Sequence, residues 1–248
     1  MNLGLAPVLA AGLIAGAMNA LAGGGSFVTF PALLLAGLDA RAANITSTIA
    51  LFPGQVLTGW AGRGLLAGAA GLGAVELVGI SLAGGAVGAG LLLTTPASVF
   101  ARMVPFLVMF ATAVFAWGSF VRRAEAAAPR LGRRTALAAQ FAIAIYGGYF
   151  GGGIGFLMLA VLTAVGVAVR AAMATKNVLG AVMNAAAVVV FLFAPGLDAR
   201  AALVLAAGAL AGGQLGVWLL RRVNETALRL FVVLVGSALT VGLFLRGP

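Results

Sequence analysis

Long apolar segments separated by short polar connections follow one another along the whole chain. In the first half they cover residues 3–22, 27–36, 42–60, 74–93 and 103–121. In the second half they cover residues 136–149, 156–165, 171–193, 201–220 and 228–245. Several approach 20 residues, the length at which an apolar helix crosses the hydrocarbon core of a bilayer. The pattern predicts an all-α polytopic membrane protein.

Two glycine runs interrupt this pattern, one in each half. Residues 23–25 are all glycine, and so are residues 151–153, with Gly155 shortly after the second run. Three consecutive glycines break a helix because glycine is a poor helix former and lacks a side chain to pack. Close helix packing is the alternative explanation for glycine in an apolar segment. Their occurrence at corresponding places in both halves favours a broken helix in each.

The second half of the chain repeats the first without gaps. A shift of 129 positions, the separation of Gly37 and Gly166, aligns functional-looking residues of the two halves. The aligned pairs are Gly23 with Gly152, Gly24 with Gly153, Phe27 with Phe156, Arg41 with Arg170, Thr46 with Thr175 and Gln55 with Asn184. Residues 37–43 also match residues 196–202, but outside this register, and we interpret that match as convergent loop composition. The single shift indicates a duplication, as in many transporters.

Arginine placement predicts the topology. Cytoplasmic connections are enriched in Lys and Arg, so we expect the basic connection 122–134 in the cytoplasm. If each interrupted segment were a full span, Arg170, Arg221 and Arg222 would lie outside, against this rule. If each is a hairpin that enters and leaves on one side, those three arginines lie inside. The rule therefore favours hairpins.

The hairpin interpretation leaves three further spans in each half. Because three is an odd number, the halves would have inverted topology. The expected fold has two inverted-topology repeats, each a Gly-broken (re-entrant or discontinuous) helix plus three transmembrane helices. The expected divisions are a first repeat at 1–121, the cytoplasmic loop at 122–134 and a second repeat at 135–248.

Composition narrows the class of protein. Only 8% of the residues are charged and 63% are hydrophobic, whereas soluble domains carry about 25% charged residues. The net charge of +10 does not indicate a nucleic-acid partner, because the arginines lie between apolar segments. The absence of Cys and His excludes disulfides, thiol chemistry and the usual zinc or haem ligands, so we expect no metal and no cofactor. Without Lys or Arg in the first 40 residues, we expect no cleavable signal peptide.

The glycine breaks are candidate anion sites. A helix that begins inside the membrane exposes free N–H groups and the positive end of its dipole, which bind anions. The polar residues that begin the apolar segment after each break are the second candidate group, since they reach about 6–9 Å below the helix end at about 1.5 Å per residue. The predicted substrate-binding residues are Asn19, Gly23, Gly24, Gly25, Ser26, Asn44, Thr46, Ser47, Gln55, Tyr149, Gly152, Gly153, Gly155, Thr175, Lys176, Asn177 and Asn184.

Several of these residues have structural alternatives. Lys176 is the only lysine in the chain, and a cation inside the membrane indicates function unless its side chain extends to the interface. Asn44 and Thr46 would also suit helix capping. Asn19 would suit an interhelical hydrogen bond, and Tyr149 an aromatic belt.

Carboxylates are sparse, so the predicted site should carry a neutral to positive charge. Asp39, Glu125 and Asp198 fall in connections, Glu225 begins the last helix, and Glu76 lies near the start of a span. No chain of Asp, Glu or His is available for a proton relay. A neutral to positive site favours an anion, and anion export from a negative-inside cell is downhill by about 2.3 kcal/mol per charge per 100 mV. Electrogenic export without a coupled ion is therefore the expected mechanism.

Three stretches resemble the sulfite exporter TauE/SafE family of membrane transporters. They are residues 16–25 with the following Pro31, residues 43–47, and residues 147–155. One departure is Ala160, which stands where the first repeat has Pro31. The resemblance covers nearly the whole chain and implies a carrier in the bacterial inner membrane for sulfite, sulfonates such as sulfoacetate, or related anions.

An exporter of a small sulfur-containing anion, working by alternating access between the two Gly-broken helices, is thus the expected function. An uptake permease or a channel-like path is the alternative of the same class. A non-transporting subunit of a membrane assembly is the alternative of another class, and an intramembrane enzyme is not expected because paired acids, His and Cys are missing. The expected partners are the bilayer and a small anion, and the oligomeric state is left open, with a homodimer considered.

Overall fold

The computed structural model describes residues 4–21, 24–121, 132–219 and 225–246, and these form helices joined by short connections. The first half contains α1 (Leu5–Leu21), α2 (Ser26–Leu35), α3 (Ala40–Gly62), α4 (Ala74–Thr94) and α5 (Ala97–Ala116). The second half contains α6 (Arg133–Tyr149), α7 (Ile154–Ala164), α8 (Val169–Phe191), α9 (Ala199–Leu219) and α10 (Glu225–Arg246). No strand occurs in these residues, which confirms the all-α prediction.

The two halves have the same sequence of elements. Each begins with two short helices separated by a glycine run and continues with three helices of 20 to 23 residues. The bounds of α3, shifted by 129 positions, are the bounds of α8. Among the described helices α4, α5, α8 and α9 are long and apolar enough to cross a membrane, so the protein is multi-pass.

Contacts between helix ends define two ends of the bundle. At one, the Arg41 guanidinium donates to the carbonyl of Thr95 (3.3 Å), and we name it the Thr95 end. At the other, Arg133 pairs with Glu76 (2.5 Å) and also donates to the Gly71 carbonyl (3.3 Å), and we name it the Glu76 end. α3 begins at the Thr95 end, whereas α4 and α6 begin at the Glu76 end.

The second glycine-broken pair of helices, α6 and α7, folds as a hairpin. α6 begins at the Glu76 end. α8 follows α7 after a short turn and begins at the same end. The connection before α4 lies at the Glu76 end, and its Ala67 N–H donates to Thr175 Oγ1 near the start of α8 (3.0 Å). The chain therefore enters and leaves this hairpin at one end of the bundle, the arrangement that the arginine rule favours.

The first pair, α1 and α2, is a hairpin at the opposite end. α1 runs parallel to α9, because Gly12 lies against Leu205 and Gly16 lies against Ala209. α9 begins at the Thr95 end, where the N–H of Asp198 donates to Thr46 Oγ1 on α3 (3.2 Å). Both arms of this hairpin thus open toward the Thr95 end, and the two glycine turns approach the interior from opposite ends.

Each hairpin packs mainly against the other half of the chain. α1 lies along α9, and α6 lies along α4; the 129-residue shift maps α1 onto α6 and α4 onto α9. The approach is close: a Cβ on Gly16 would collide with the Ala209 carbonyl, and one on Gly88 with the Ile145 carbonyl. Stripes of small residues allow such backbone contact between membrane helices. Exchanging the two halves converts one of these pairings into the other.

At the centre α3 packs on its repeat counterpart α8. Gly59 lies against Val178 and Gly62 against Ala174, so the two helices run in opposite directions. Buried aliphatic and aromatic side chains from both halves pack around this pair. The α3–α8 pair therefore forms the rigid centre on which the glycine turns converge.

The identical heptapeptides 37–43 and 196–202 fold alike and lie together. Gly37 and Gly196 both have left-handed φ values (101° and 96°), and Asp39 and Asp198 cap the helices that follow, α3 and α9. The two turns line one open groove at the Thr95 end. Capping satisfies backbone N–H groups that a helix start leaves free, so this sequence specifies a helix N-terminus twice.

Two parts of the predicted topology lie outside the described residues. They are residues 122–131 of the basic connection and the arginines at positions 221 and 222. At the described edge of the connection Arg133 and Arg134 are exposed at the Glu76 end.

Candidate functional site

The first glycine break turns the chain so that α2 starts beside the last turns of α1. Gly24 has a left-handed φ of 86°, which side chains rarely adopt. The Gly25 N–H donates to Asn19 Oδ1 (2.8 Å), six residues earlier. A Cβ on Gly25 would lie 2.6 Å from Asn19 Nδ2 and 2.8 Å from the Ala15 carbonyl oxygen. Asn19 therefore ties the last turns of α1 to the start of α2, and a side chain at position 25 would force this contact apart.

The second break has a matching conformation. Gly153, the repeat counterpart of Gly24, has a φ of 74° and occupies the N-cap of α7, and Gly151 has a φ of 81°. The Gly151 N–H donates to the Tyr146 carbonyl (3.2 Å), which closes the end of α6. Equivalent glycines thus take the left-handed conformation in both breaks.

Both breaks contribute to one polar cavity in the centre of the molecule. Its volume is about 20 Å³ for the centre of a water-sized sphere, room for about one water molecule. The lining comes from the start of α2, from α3, from the second break and from α8. It consists of Ser26, Phe30, Asn44, Ser47, Thr48, Leu51, Gln55, Phe150, Gly151 and Asn184. Among the described residues, no charged side chain lines this cavity.

Hydrogen bonds fix the walls of the cavity. Asn44 Nδ2 donates to the Tyr149 carbonyl (3.0 Å), which ties α3 to the end of α6. Thr48 Oγ1 donates to the Asn44 carbonyl (2.9 Å). The hydroxyls of Ser47 and Thr29 are hydrogen-bonded (2.6 Å), which ties α3 to α2. The polar start of α3 therefore holds both glycine breaks against it.

A hydrogen bond between repeat counterparts forms one side of the cavity. Asn184 Nδ2 on α8 donates to Gln55 Oε1 on α3 (2.6 Å). Asn184 is only 3% exposed, and its Oδ1 is buried without a hydrogen-bond partner in the described part of the chain. A buried carbonyl oxygen without a partner lowers stability by roughly 1–3 kcal/mol, and a ligand or a water molecule that donates to this atom would remove that cost.

Lys176 lies at the other glycine-broken helix. It is partly buried, and its Nζ is 3.4 Å from the point where a Cβ on Gly155 would be, at the start of α7. No ion pair of Lys176 is formed within the described residues. Its repeat counterpart is Ser47, which lines the cavity near Ser26. The two halves therefore place a hydroxyl and an ammonium at equivalent positions beside their broken helices.

The two predicted threonines hold connections in place. Thr46 and Thr175, both 0% exposed, accept hydrogen bonds from the N–H groups of Asp198 and Ala67, which precede α9 and α4. These are equivalent bonds in the two halves, each from a connection of one half to a helix of the other. Neither threonine lines the cavity.

Of the seventeen predicted residues, Ser26, Asn44, Ser47, Gln55 and Asn184 come together in the cavity. The Tyr149 hydroxyl faces Thr95 and Met103 (3.4 and 3.5 Å), and only its carbonyl approaches the cavity wall, through Asn44. Gly152 lies against the Phe150 ring, and the Asn177 carbonyl lies against Gly59. Gly23 is outside the described residues.

Sequence reasoning missed half of the lining. Thr48 and Gly151 adjoin predicted residues and share their motifs, so the signal was present. Phe30 and Phe150 pack edge to face, with ring centres 5.8 Å apart, and join the two breaks across the cavity. Aromatic residues are common in apolar helices, and nothing in the sequence pairs these two.

The described carboxylates lie away from the cavity. Asp39 and Asp198 cap helices, and Glu76 pairs with Arg133 at the surface. Within the described ranges no group of three or more His, Cys, Asp or Glu side chains is placed to hold a metal ion. The described lining of the cavity is therefore neutral, and Lys176, which is not part of it, lies eight residues before Asn184 on α8.

Comparisons with known proteins agree with this architecture. A family model described as sulfite exporter TauE/SafE matches residues 8–243. A probable membrane transporter protein from Haemophilus influenzae is 27% identical over 242 residues, covering 95% of this chain and 92% of the relative. The probable membrane transporter protein ORF9 from a Sinorhizobium species is 28% identical, with coverage of 96% and 92%. No solved structure matches significantly. Because the family model covers nearly the whole chain, the protein belongs to the sulfite exporter TauE/SafE family.

Proposed function

We propose that this membrane transporter exports a small sulfur-containing anion, sulfite or an organosulfonate such as sulfoacetate, across the bacterial inner membrane. The observation that carries the proposal is the convergence of two glycine-broken helices on one polar cavity without a carboxylate. Helix N-termini attract anions through their free N–H groups and dipoles. The sulfur chemistry comes from the family description.

Lys176 supplies the positive charge of the proposed site. Its ammonium lies beside the first turn of α7, where the helix dipole is also positive. The ammonium and the helix dipole are both positive here, and Lys176 forms no ion pair within the described residues, so an anionic ligand is favoured. Backbone groups at Gly24, Gly153 and Gly155, with the polar side chains of α3 and α8, would complete the binding surface.

Alternating access follows from the hairpin arrangement. The hairpins enter from opposite ends of the bundle, and α3 runs antiparallel to its counterpart α8, as inverted-topology repeats require. The cavity has room for about one water molecule, so a sulfur oxyanion fits only after the walls separate. Rocking of the hairpins against the α3–α8 pair would widen the cavity toward one end at a time.

Charge placement supports the proposed orientation. Arg63, Arg133, Arg134 and Arg170 belong to the Glu76 end, which we therefore place in the cytoplasm. An anion that leaves toward the Thr95 end moves down the membrane potential, a gain of about 2.3 kcal/mol per charge per 100 mV. Export then needs no coupled ion.

The test is efflux from proteoliposomes loaded with sulfite or sulfoacetate. A potential that is negative inside should accelerate efflux, and collapsing it should slow efflux. Lys176→Ala should abolish transport in protein that still inserts, while Arg134→Ala, which removes an exposed cation, should leave it unchanged. Efflux indifferent to the potential would overturn the uncoupled mechanism, and unaltered efflux by Lys176→Ala would overturn the site.

An uptake permease with the same site is the second candidate, because alternating access to a cavity between two opposed hairpins does not itself set the direction of transport. Uptake into empty vesicles that exceeds efflux at matched gradients would support it. A subunit without transport activity would move no anion in either direction.

A further inference from the structure

We propose that Asn184 and Gln55 make the cavity selective for anions that carry a hydrogen-bond donor, such as a hydroxyl or a proton on an oxyanion. The inference rests on the proposed function, since it concerns the ligand of the same site. Of the substrates proposed above, it favours hydrogen sulfite over sulfoacetate, which has no hydrogen-bond donor when both of its acid groups are deprotonated.

The first step is the unpaired oxygen of Asn184. The side chain is 97% removed from solvent, its Nδ2 is engaged by Gln55, and its Oδ1 has no partner within the described residues. Asn184 lines the cavity, so a ligand there can reach this atom. An oxygen of this kind can only accept a hydrogen bond.

The second step is that neighbouring hydroxyls also present lone pairs. Thr48 uses its proton on the Asn44 carbonyl (2.9 Å). Thr29 donates to the Gly25 carbonyl (3.3 Å), which assigns the proton of the Thr29–Ser47 bond to Ser47. Ser47, Thr48 and Asn184 therefore all face the cavity as acceptors.

The third step is the cost of displacing water. A water molecule fits the cavity and can donate to Asn184 Oδ1. A ligand that fills the widened cavity displaces this water and must replace its donor or leave the oxygen unpaired. A fully deprotonated oxyanion offers only acceptors and meets an acceptor there.

The remaining groups favour an anion over a cation. Ser26 begins α2 and lines the cavity at the positive end of that helix. Asn184 donates to Gln55 Oε1, and the Gln55 amide nitrogen carries two N–H donors of its own. The cavity therefore offers donors for the oxygens of an anion and acceptors for its O–H or N–H group.

Two sulfonates of equal charge provide the test. 2-Hydroxyethanesulfonate and ethanesulfonate differ by one hydroxyl, and their dissociation constants can be measured by calorimetry on the purified full-length protein. We expect the hydroxylated ligand to bind about tenfold more tightly. Asn184→Leu should reduce the ratio to about one. Gln214→Leu, which removes an exposed amide on α9, should keep the tenfold preference.

Each outcome has a consequence. Equal binding of both ligands to the unmodified protein, or a preference that survives in Asn184→Leu, would overturn the inference while leaving an anion site in place. Failure of both to bind would overturn the proposed function as well. A rise in Tm with sodium over choline chloride, without sulfonate, would assign the acceptors to an alkali cation and overturn the inference. If Asn184→Leu does not insert, Asn184→Ser serves, because its hydroxyl can donate within the helix.

Discussion

Gln55 and Asn184 are repeat counterparts, 129 positions apart, and they are hydrogen-bonded to each other at 2.6 Å. The bond joins the two halves of the chain, because Gln55 lies on α3 and Asn184 lies on α8, and both residues line the cavity. Movement of α3 against α8 would break it.

Removing either amide should destabilise the protein and couple to the other. Gln55→Leu leaves Asn184 without its partner, and we expect a loss of about 1–3 kcal/mol in the free energy of unfolding. The double variant Gln55→Leu with Asn184→Leu should lose less than the sum of the single variants. Denaturant titration in detergent measures all three, and strict additivity would show that the bond contributes nothing.

Gly25→Ala should abolish transport because it distorts the first glycine break. The new Cβ would lie within 3 Å of Asn19 and of the Ala15 carbonyl, so α2 must shift and lose the hydrogen bond from the residue 25 N–H to Asn19. Gly79→Ala is the matched control, since nothing lies within 4 Å of its Cβ position. It should be neutral or stabilise α4 by up to about 1 kcal/mol. Equal efflux rates for both variants would contradict a functional first break.

Variants of Thr46 and Thr175 test whether these residues bind the anion or only stabilise the fold. Thr46→Val and Thr175→Val each remove the acceptor of a connection N–H, at equivalent sites. We expect similar losses of about 1–3 kcal/mol in the free energy of unfolding, with the KM for the anion unchanged. Thr58→Val, at an exposed position on α3, should do neither. A raised KM without lower stability would return these threonines to the binding site.

The sequence predicted the positions of the helices better than it predicted the contacts between them. The apolar pattern located the long helices of the described residues, because helix length is a local property of the chain, and the bounds of α3 and α8 differ by the 129 positions of the predicted repeat. The lining of the cavity could not be predicted in this way, because Phe150 and Ser26 come together only when both hairpins have folded. Thr46 looked like a binding residue by its type and depth, but its hydroxyl meets a backbone N–H from a connection 152 positions away. Partners across such separations are set by tertiary packing.

Close packing between the halves gives the sharpest pair of variants. Gly88 and Gly90 lie two residues apart on α4, but only Gly88 faces α6, where a Cβ would collide with the Ile145 carbonyl. Around Gly90 nothing lies within 4 Å of the Cβ position. Because backbone at a helix contact cannot yield as a flexible side chain does, Gly88→Ala should lower the free energy of unfolding by about 1–3 kcal/mol or more. Gly90→Ala should leave it unchanged or raise it slightly, since alanine is the better helix former. Thermal unfolding in the same detergent compares them directly, and equal Tm values would mean that α4 and α6 do not pack this closely.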